Sequence, residues 1–339
     1  MDKKLLILLS LLVAAGCVND MSYTPQDTEP QLVMNSLLTV GDASHEVWLG
    51  VSKPGCVDTL KGDVDLRCYI NGSLAATAAE QPGRQRLRRF AFAAGFAAGD
   101  KVRLEAKSGS YSAGASFTVP TEPVLNRIDT VSVGDSATRQ MAFRINMTDR
   151  SAGADYYSLG IICTSTIELY KDNVLLETAE FVRLCPLDTG DDLILSEEGI
   201  AAANMDDMFD VGTPNYCGAF FDSQFDCKSV TLRPKVDQWE FNSWYLNSFV
   251  PYDSCYVKPV VKVALSHIDV RHYYYYKALN SLESGTSDLL LEDVSIPNNI
   301  EGGIGFVGIS NTVSQEFELK PYYSTVTYDD EPYYEDPEP

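Results

Sequence analysis

The sequence predicts a mostly β protein: an N-terminal β-sandwich followed by a second β-rich domain with one or two helices. Three observations carry this. From QLVMNSLLTV onward, short apolar or alternating runs follow one another closely, as half-buried strands do. Asn71-Gly72 sits between two of these runs, and both residues tolerate the positive φ of a tight hairpin. A 3.6-residue apolar period surfaces only twice along the chain.

Taken in order, the chain opens with Met1, Asp2, Lys3 and Lys4, runs apolar from Leu5 to Ala15, and meets Gly16 and Cys17. A basic start and an apolar segment too short to span a bilayer read as a signal peptide over residues 1–16. Ala15-Gly16-Cys17 resembles a bacterial lipobox, with Ala14 where Leu is commoner. Lipidation of Cys17 would give a lasting anchor, since each buried methylene adds about 0.8 kcal/mol. The alternative is an ordinary secretory signal in which Cys17 is incidental.

Residues 17–29 are polar and aperiodic, as in a tether. Residues 30–120 hold the sandwich: 31–40, HEVWLGV, VDLRCYI, SLAATA, LRRFAFAA, KVRLEAK and SYSAGASFTV. VPTEPV, with Pro120 and Pro123, breaks the pattern and marks the boundary. The second domain, 121–320, has strands at RQMAFRINM, DYYSLGIICTSTIELY, SVTLRPKV and VVKVAL. One helix is expected near 196–209, where Ser196 precedes Glu197 and Glu198. A second is expected near 267–284, with Ser266 and Asp269 at capping-box spacing and Tyr275, Leu279 and Leu282 on one face. Residues 321–339, without a basic residue, read as a disordered acidic tail.

The chain has 26 Lys plus Arg against 48 Asp plus Glu, a net charge of −22. Such a surface repels phosphate backbones and anionic lipid, which argues against nucleic-acid binding and leaves membrane attachment to the lipid. Seven cysteines follow Cys17, an odd number, with no CxxC among them. Cys217 with Cys227 is the expected bridge, across a turn region; the alternative is that all seven are reduced.

Few residues advertise chemistry. Gly303, Gly305 and Gly308 match GxGxxG, but the following SQEFELK alternates like a strand, so close backbone packing explains them better than a dinucleotide. His45, His267 and His272 lack metal-ligand spacing, and no GxSxG points to a nucleophile. DTGDD, residues 188–192, lacks the liganding pattern of a calcium loop. No metal, cofactor or catalytic residue is therefore expected. The densest aromatic stretch, 239–256, holds Trp239, Trp244, Tyr245 and Tyr252, which either form a stacking platform for a sugar or peptide or belong to a core.

Several segments in order, PQLVMNSLLTV, INMTDRSAGADYYSLGI, FFDSQFDCKSVTL, HIDVRHYYYYKALNSLES and IPNNIEGGIGFVGI, resemble the Bacteroidota lipoprotein family catalogued as domain of unknown function 4249. Relatives tend to carry Gly where this chain has Cys227, so no cysteine pairing transfers. The resemblance implies an N-terminal sandwich similar to immunoglobulin-like or carboxypeptidase-regulatory-like modules. It also implies an outer-membrane lipoprotein, on the cell surface or the periplasmic face, acting as a non-enzymatic accessory to a TonB-dependent receptor in nutrient uptake. It brings no catalytic residues. The competing readings are a surface hydrolase acting on glycans or peptides near residues 239–256, and a structural or adhesive surface protein.

Overall fold

The computed structural model describes residues 29–83, 86–134, 139–150, 152–196, 217–242, 252–283 and 296–325. The expected signal peptide with Cys17, all but the last residue of the expected tether, the helix expected near 196–209 beyond its first residue, Trp244, Tyr245 and the expected tail from 326 lie outside these residues.

The described strands begin with β1 (Leu32–Thr39), β2 (His45–Lys53), β3 (Cys56–Asp58), β4 (Asp65–Ile70), β5 (Ser73–Thr77), β6 (Ala79–Gln81), β7 (Arg88–Phe92), β8 (Lys101–Ser108) and β9 (Tyr111–Thr118). Next come β10 (Val124–Val133), β11 (Gln140–Thr148), β12 (Tyr156–Lys171), β13 (Val174–Leu184), β14 (Gly218–Phe221), β15 (Ser229–Leu232) and β16 (Lys235–Asp237). After a short helix α1 (Gln238–Asn242) follow β17 (Ser254–Ile268), helix α2 (Val270–Glu283), β18 (Gly303–Ile304), β19 (Val307–Glu318) and β20 (Tyr322–Thr325). The mostly β expectation holds.

Turn chemistry sets the hairpins. Asn71 and Gly72, at φ 52° and 83°, join β4 to β5 as the dipeptide predicts, and Asp172 and Asn173, at 51° and 62°, do the same for β12 and β13.

Twelve strands form one long sheet, β13-β12-β17-β19-β1-β2-β7-β6, with β14 beside β12, β18 beside β1, β20 beside β17 and β3 beside β2. Two four-stranded sheets pack on it. The β5-β4-β8-β9 sheet presents Leu66, Val102, Leu104 and Ala115 to Leu32, Met34, Leu49 and Phe90 of the long sheet. The β10-β11-β15 sheet, with β16 beside β11, presents Phe143, Ile145, Met147 and Leu232 to Leu159, Ile161, Val263 and Leu265. Each of these side chains contributes about 1.5–3 kcal/mol by leaving water, Ala115 less.

β19 ties the two cores together. Side chains alternate across a strand, so its odd-numbered residues share a face. Val307 and Ile309 enter the first core, while Val313 and Phe317 pack on the second. Both small sheets therefore lie side by side on the same face of the long one. At their junction Asn311 Nδ2 donates to the Pro120 carbonyl at 3.0 Å. β19 pairs parallel with β1 (Ser36 opposite Val307) and antiparallel with β17 (Leu265 opposite Val313). The preceding glycines permit this approach: Gly305 sits at φ 124°, and a Cβ there would collide with the Met34 carbonyl oxygen.

The helix expected near 267–284 is α2, but it starts later than the Ser266 capping box predicts. β17 runs on to Ile268, and Ser266 faces Thr312 at 2.7 Å. Asp269 caps instead, its Oδ1 accepting from the His272 amide at 2.8 Å. The buried residues described on this helix are His272, Tyr273 and Ala278, whereas Leu282 is exposed. Tyr273 and Tyr276 pack with Ala219 and Ile268, so α2 covers one end of the long sheet's other face.

Candidate functional site

Beyond α2 that other face is open among the described residues. On β12 and β17 the odd-numbered side chains are buried, while even-numbered ones such as Ile162, Thr164, Glu168, Tyr256 and Lys258 remain half-exposed. Register places Glu168 opposite Tyr256, and Tyr256 opposite Tyr323 on β20. The Tyr256 and Tyr323 rings stack at 4.4 Å between centroids, and Tyr323 is 76% exposed. Lys258 sits 5.1 Å from the Tyr256 ring and pairs with Glu168, which also accepts from the Tyr170 hydroxyl at 2.8 Å. At the sheet's edge Val182 and Leu184 extend the same face and are exposed. The result is an exposed sheet face with aromatic, apolar and charged groups side by side.

The aromatic residues singled out in the sequence divide differently. Trp239 is exposed on α1, with the Arg183 guanidinium 5.0 Å from its ring; Arg183 also pairs with Glu240 at 2.7 Å. Tyr252 is half-buried against Ile167, Leu169, Cys255 and Val257 and has a packing role. Trp244 and Tyr245 lie outside the described residues. The expected Cys217–Cys227 bridge is not formed: both are thiols. Cys217 precedes β14 on the side of Tyr275 and Tyr276, whereas Cys227 lies in the turn beyond the strand's other end, its amide bound to Asp149. The intervening strand, at about 3.3 Å per residue, keeps them apart.

A second concentration of polar groups lies at one end of the second core. Asp149 follows β11, Asp155 precedes β12 and Asp222 follows β14; one carboxylate oxygen from each lies within 4.8 Å of the others. Asp149 is held on both sides, Oδ1 accepting from the buried Tyr157 hydroxyl at 2.9 Å and Oδ2 from the Cys227 amide at 2.7 Å. Asp226 also approaches Asp149 at the exposed rim. Burial, reinforced by the Asp149 carboxylate, pushes the Asp155 pKa up against the pull of His267; burial and Asp149 likewise raise Asp222.

His267 gives no support to hydrolytic chemistry. Its Nε2 faces Asp155 at 3.4 Å, and its Nδ1 lies 3.0 Å from both the Thr121 hydroxyl and the Thr121 carbonyl. A carbonyl can only accept, so both contacts are hydrogen bonds together only in the tautomer with the proton on Nδ1, in which Nδ1 does not take one from the hydroxyl. The arrangement anchors the linker between the two small sheets. His45 Nε2 meets the Ala94 carbonyl at 2.9 Å, and His272, packed beside Phe306 and Tyr276, has its pKa lowered by burial to about 4. In DTGDD the side chains engage backbone amides, Gln140 and Lys235.

Sequence reasoning missed both the stacked tyrosines and the aspartates. Tyr256 lies inside the aromatic stretch, but its partner Tyr323 falls where an acidic tail was expected. The aspartates lie in INMTDRSAGADYYSLGI and FFDSQFDCKSVTL, two of the segments that carried the family resemblance.

The chain belongs to the family described as Domain of unknown function (DUF4249), whose profile matches residues 18–316. No curated protein matches it. Among solved structures, a DUF4785 family protein from Legionella pneumophila aligns at 10% identity with a TM-score of 0.24, over 70% of this chain and 52% of its own. The chain thus spans about half that protein's length, and the likeness is too slight to inform fold or function.

Proposed function

We propose that this chain is a lipid-anchored, non-enzymatic protein of the bacterial outer membrane that docks a TonB-dependent receptor in nutrient uptake. The observation that carries the reading is the open face of the long sheet. Small-molecule sites are concave pockets, whereas this surface is a sheet face several strands wide that is open among the described residues, which suits another protein. Tyrosines are enriched where protein partners meet, and the stacked Tyr256–Tyr323 pair is rigid enough to bind without much loss of side-chain freedom. The lipobox at Cys17 supports the location, and the resemblance to Bacteroidota lipoproteins supports the receptor as partner.

The test is co-purification of the full chain from detergent-solubilised outer membranes. The wild type should recover a TonB-dependent receptor, and the Tyr256→Ala/Tyr323→Ala variant should recover at least about tenfold less, as loss of a central aromatic pair does. A membrane-anchored wild type that repeatedly recovers no receptor overturns the receptor role. Equal recovery by the variant overturns the assignment to this face.

A further inference from the structure

The fold brings Asp149, Asp155 and Asp222 from separate connections to one point, although Asp149 and Asp222 are far apart in sequence. Asp149 and Asp222 are each only 2% exposed. Asp149 has its Tyr157 and Cys227 donors, and Asp155 faces His267. Asp222 differs. Its amide donates to the Asp155 carbonyl at 3.2 Å, fixing the turn, yet its Oδ2 is fully buried without any hydrogen-bond partner. A buried carboxylate oxygen lacking a donor is costly, and it sits among other carboxylates that repel it. A cation would supply the partner and relieve that repulsion at once.

We propose that Asp149, Asp155 and Asp222 bind a calcium ion, with Asp226 at its solvent-facing rim. The three converging donors, from Asp149, Asp155 and Asp222, are carboxylate oxygens, which suit calcium better than zinc; the Cys227 thiol joins only Asp149 and Asp226 at the rim, so zinc is titrated beside calcium as a competitor. Ligands at about 2.3–2.6 Å from calcium span up to about 5 Å across the ion, and the carboxylate oxygens lie within 4.8 Å of one another. They come from three separate connections rather than one local motif, and calcium's irregular coordination accommodates such a set better than the strict octahedron of magnesium. Tyr157 and the Cys227 amide orient Asp149, as partners of metal-binding carboxylates do. The ion is structural. It clasps the end of β11 in the small sheet to β12 and β14 in the long one, and through Asp155 it adjoins His267 and the Thr121 linker. Nothing in this assignment depends on the open face or its partner.

The test uses the purified full chain, stripped with EDTA and titrated with calcium chloride by calorimetry and thermal melting. One ion should bind, and at a hundredfold excess over the dissociation constant the melting temperature should rise by about 5 °C. Terbium bound in the same place should luminesce on tyrosine excitation, through Tyr157, and calcium should quench that signal by competition. Asp222→Asn should lose the calcium-dependent shift while its EDTA-state melting temperature stays at or above that of the wild type, since a buried charge among carboxylates is removed. Should that variant not fold, Asp155→Asn is the second probe, with at least about tenfold weaker terbium binding expected. No binding by calorimetry, or a melting shift that persists in both variants, overturns the proposal. A larger shift with magnesium or zinc than with calcium also overturns it.

Discussion

Two acidic regions of this molecule invite comparison. DTGDD packs three aspartates into five residues, and each is engaged by a neighbour. Asp192, 4% exposed, accepts from the Ile194 and Leu195 amides at 2.9 and 3.0 Å and from the Arg233 amide. Asp188 accepts from the Gly190 amide and Gln140 side chain, both at 3.1 Å, and Asp191 pairs with Lys235. Asp149, Asp155 and Asp222 are scattered in sequence and converge in space, leaving a buried oxygen without a donor. Local density of acid thus marks a self-satisfied turn, while convergence of distant acids marks a demand for a cation.

The largest expected effect tests the self-satisfied side. Asp192→Ala leaves three backbone amides without their acceptor and should cost about 3 kcal/mol or more, read from urea unfolding. A cost near zero would mean that the turn does not need its carboxylate.

Next is Tyr157→Phe, which removes the donor to Asp149 and should cost about 2 kcal/mol by the same measurement. The variant retains the ring packing with Phe220, which separates the hydrogen bond from the core.

The pH dependence distinguishes the two regions by sign. Burial raises the folded pKa of Asp155 and Asp222 above the unfolded value near 3.8. Their contribution to stability is therefore whole below that value and is lost as pH rises through the folded values. In EDTA, the urea midpoint of the wild type should fall between about pH 4 and 7 more steeply than that of Asp155→Asn/Asp222→Asn. Identical slopes would remove the electrostatic contrast. Asp191 behaves oppositely, because the hydrogen bond with Lys235 lowers its pKa; its contribution is present above the unfolded value and lost on acidification. Being fully exposed, it gives the smallest effect, and Asp191→Asn should leave the neutral-pH midpoint unchanged within error.

Much of the fold was legible because alternation and turn residues act locally. VDLRCYI followed by Asn71-Gly72 specifies a strand and its hairpin without reference to the rest of the chain. β13 was missed because, as an edge strand, it exposes Leu176, Val182 and Leu184 on a face where a two-sided pattern would put polar residues. Ser266 was misread as a cap because it is one of the polar side chains, with Lys258 and Lys262, on the half-exposed face of β17, and falls three residues before Asp269. The candidate sites were the least legible. Tyr256 meets Tyr323, and Asp149 meets Asp222, only through pairings between distant strands, to which a scan for local motifs is blind.

The closing role of β19 has a consequence for how the chain is made. The Phe306 amide binds Asn35 Oδ1 across 271 positions, so the first sandwich lacks a central strand until almost the whole polypeptide has been synthesised. β1 and β17 meanwhile keep open edges that invite wrong pairing. Assembly is consequently a late event, and a chain cut short before residue 307 lacks the strand that joins its two cores.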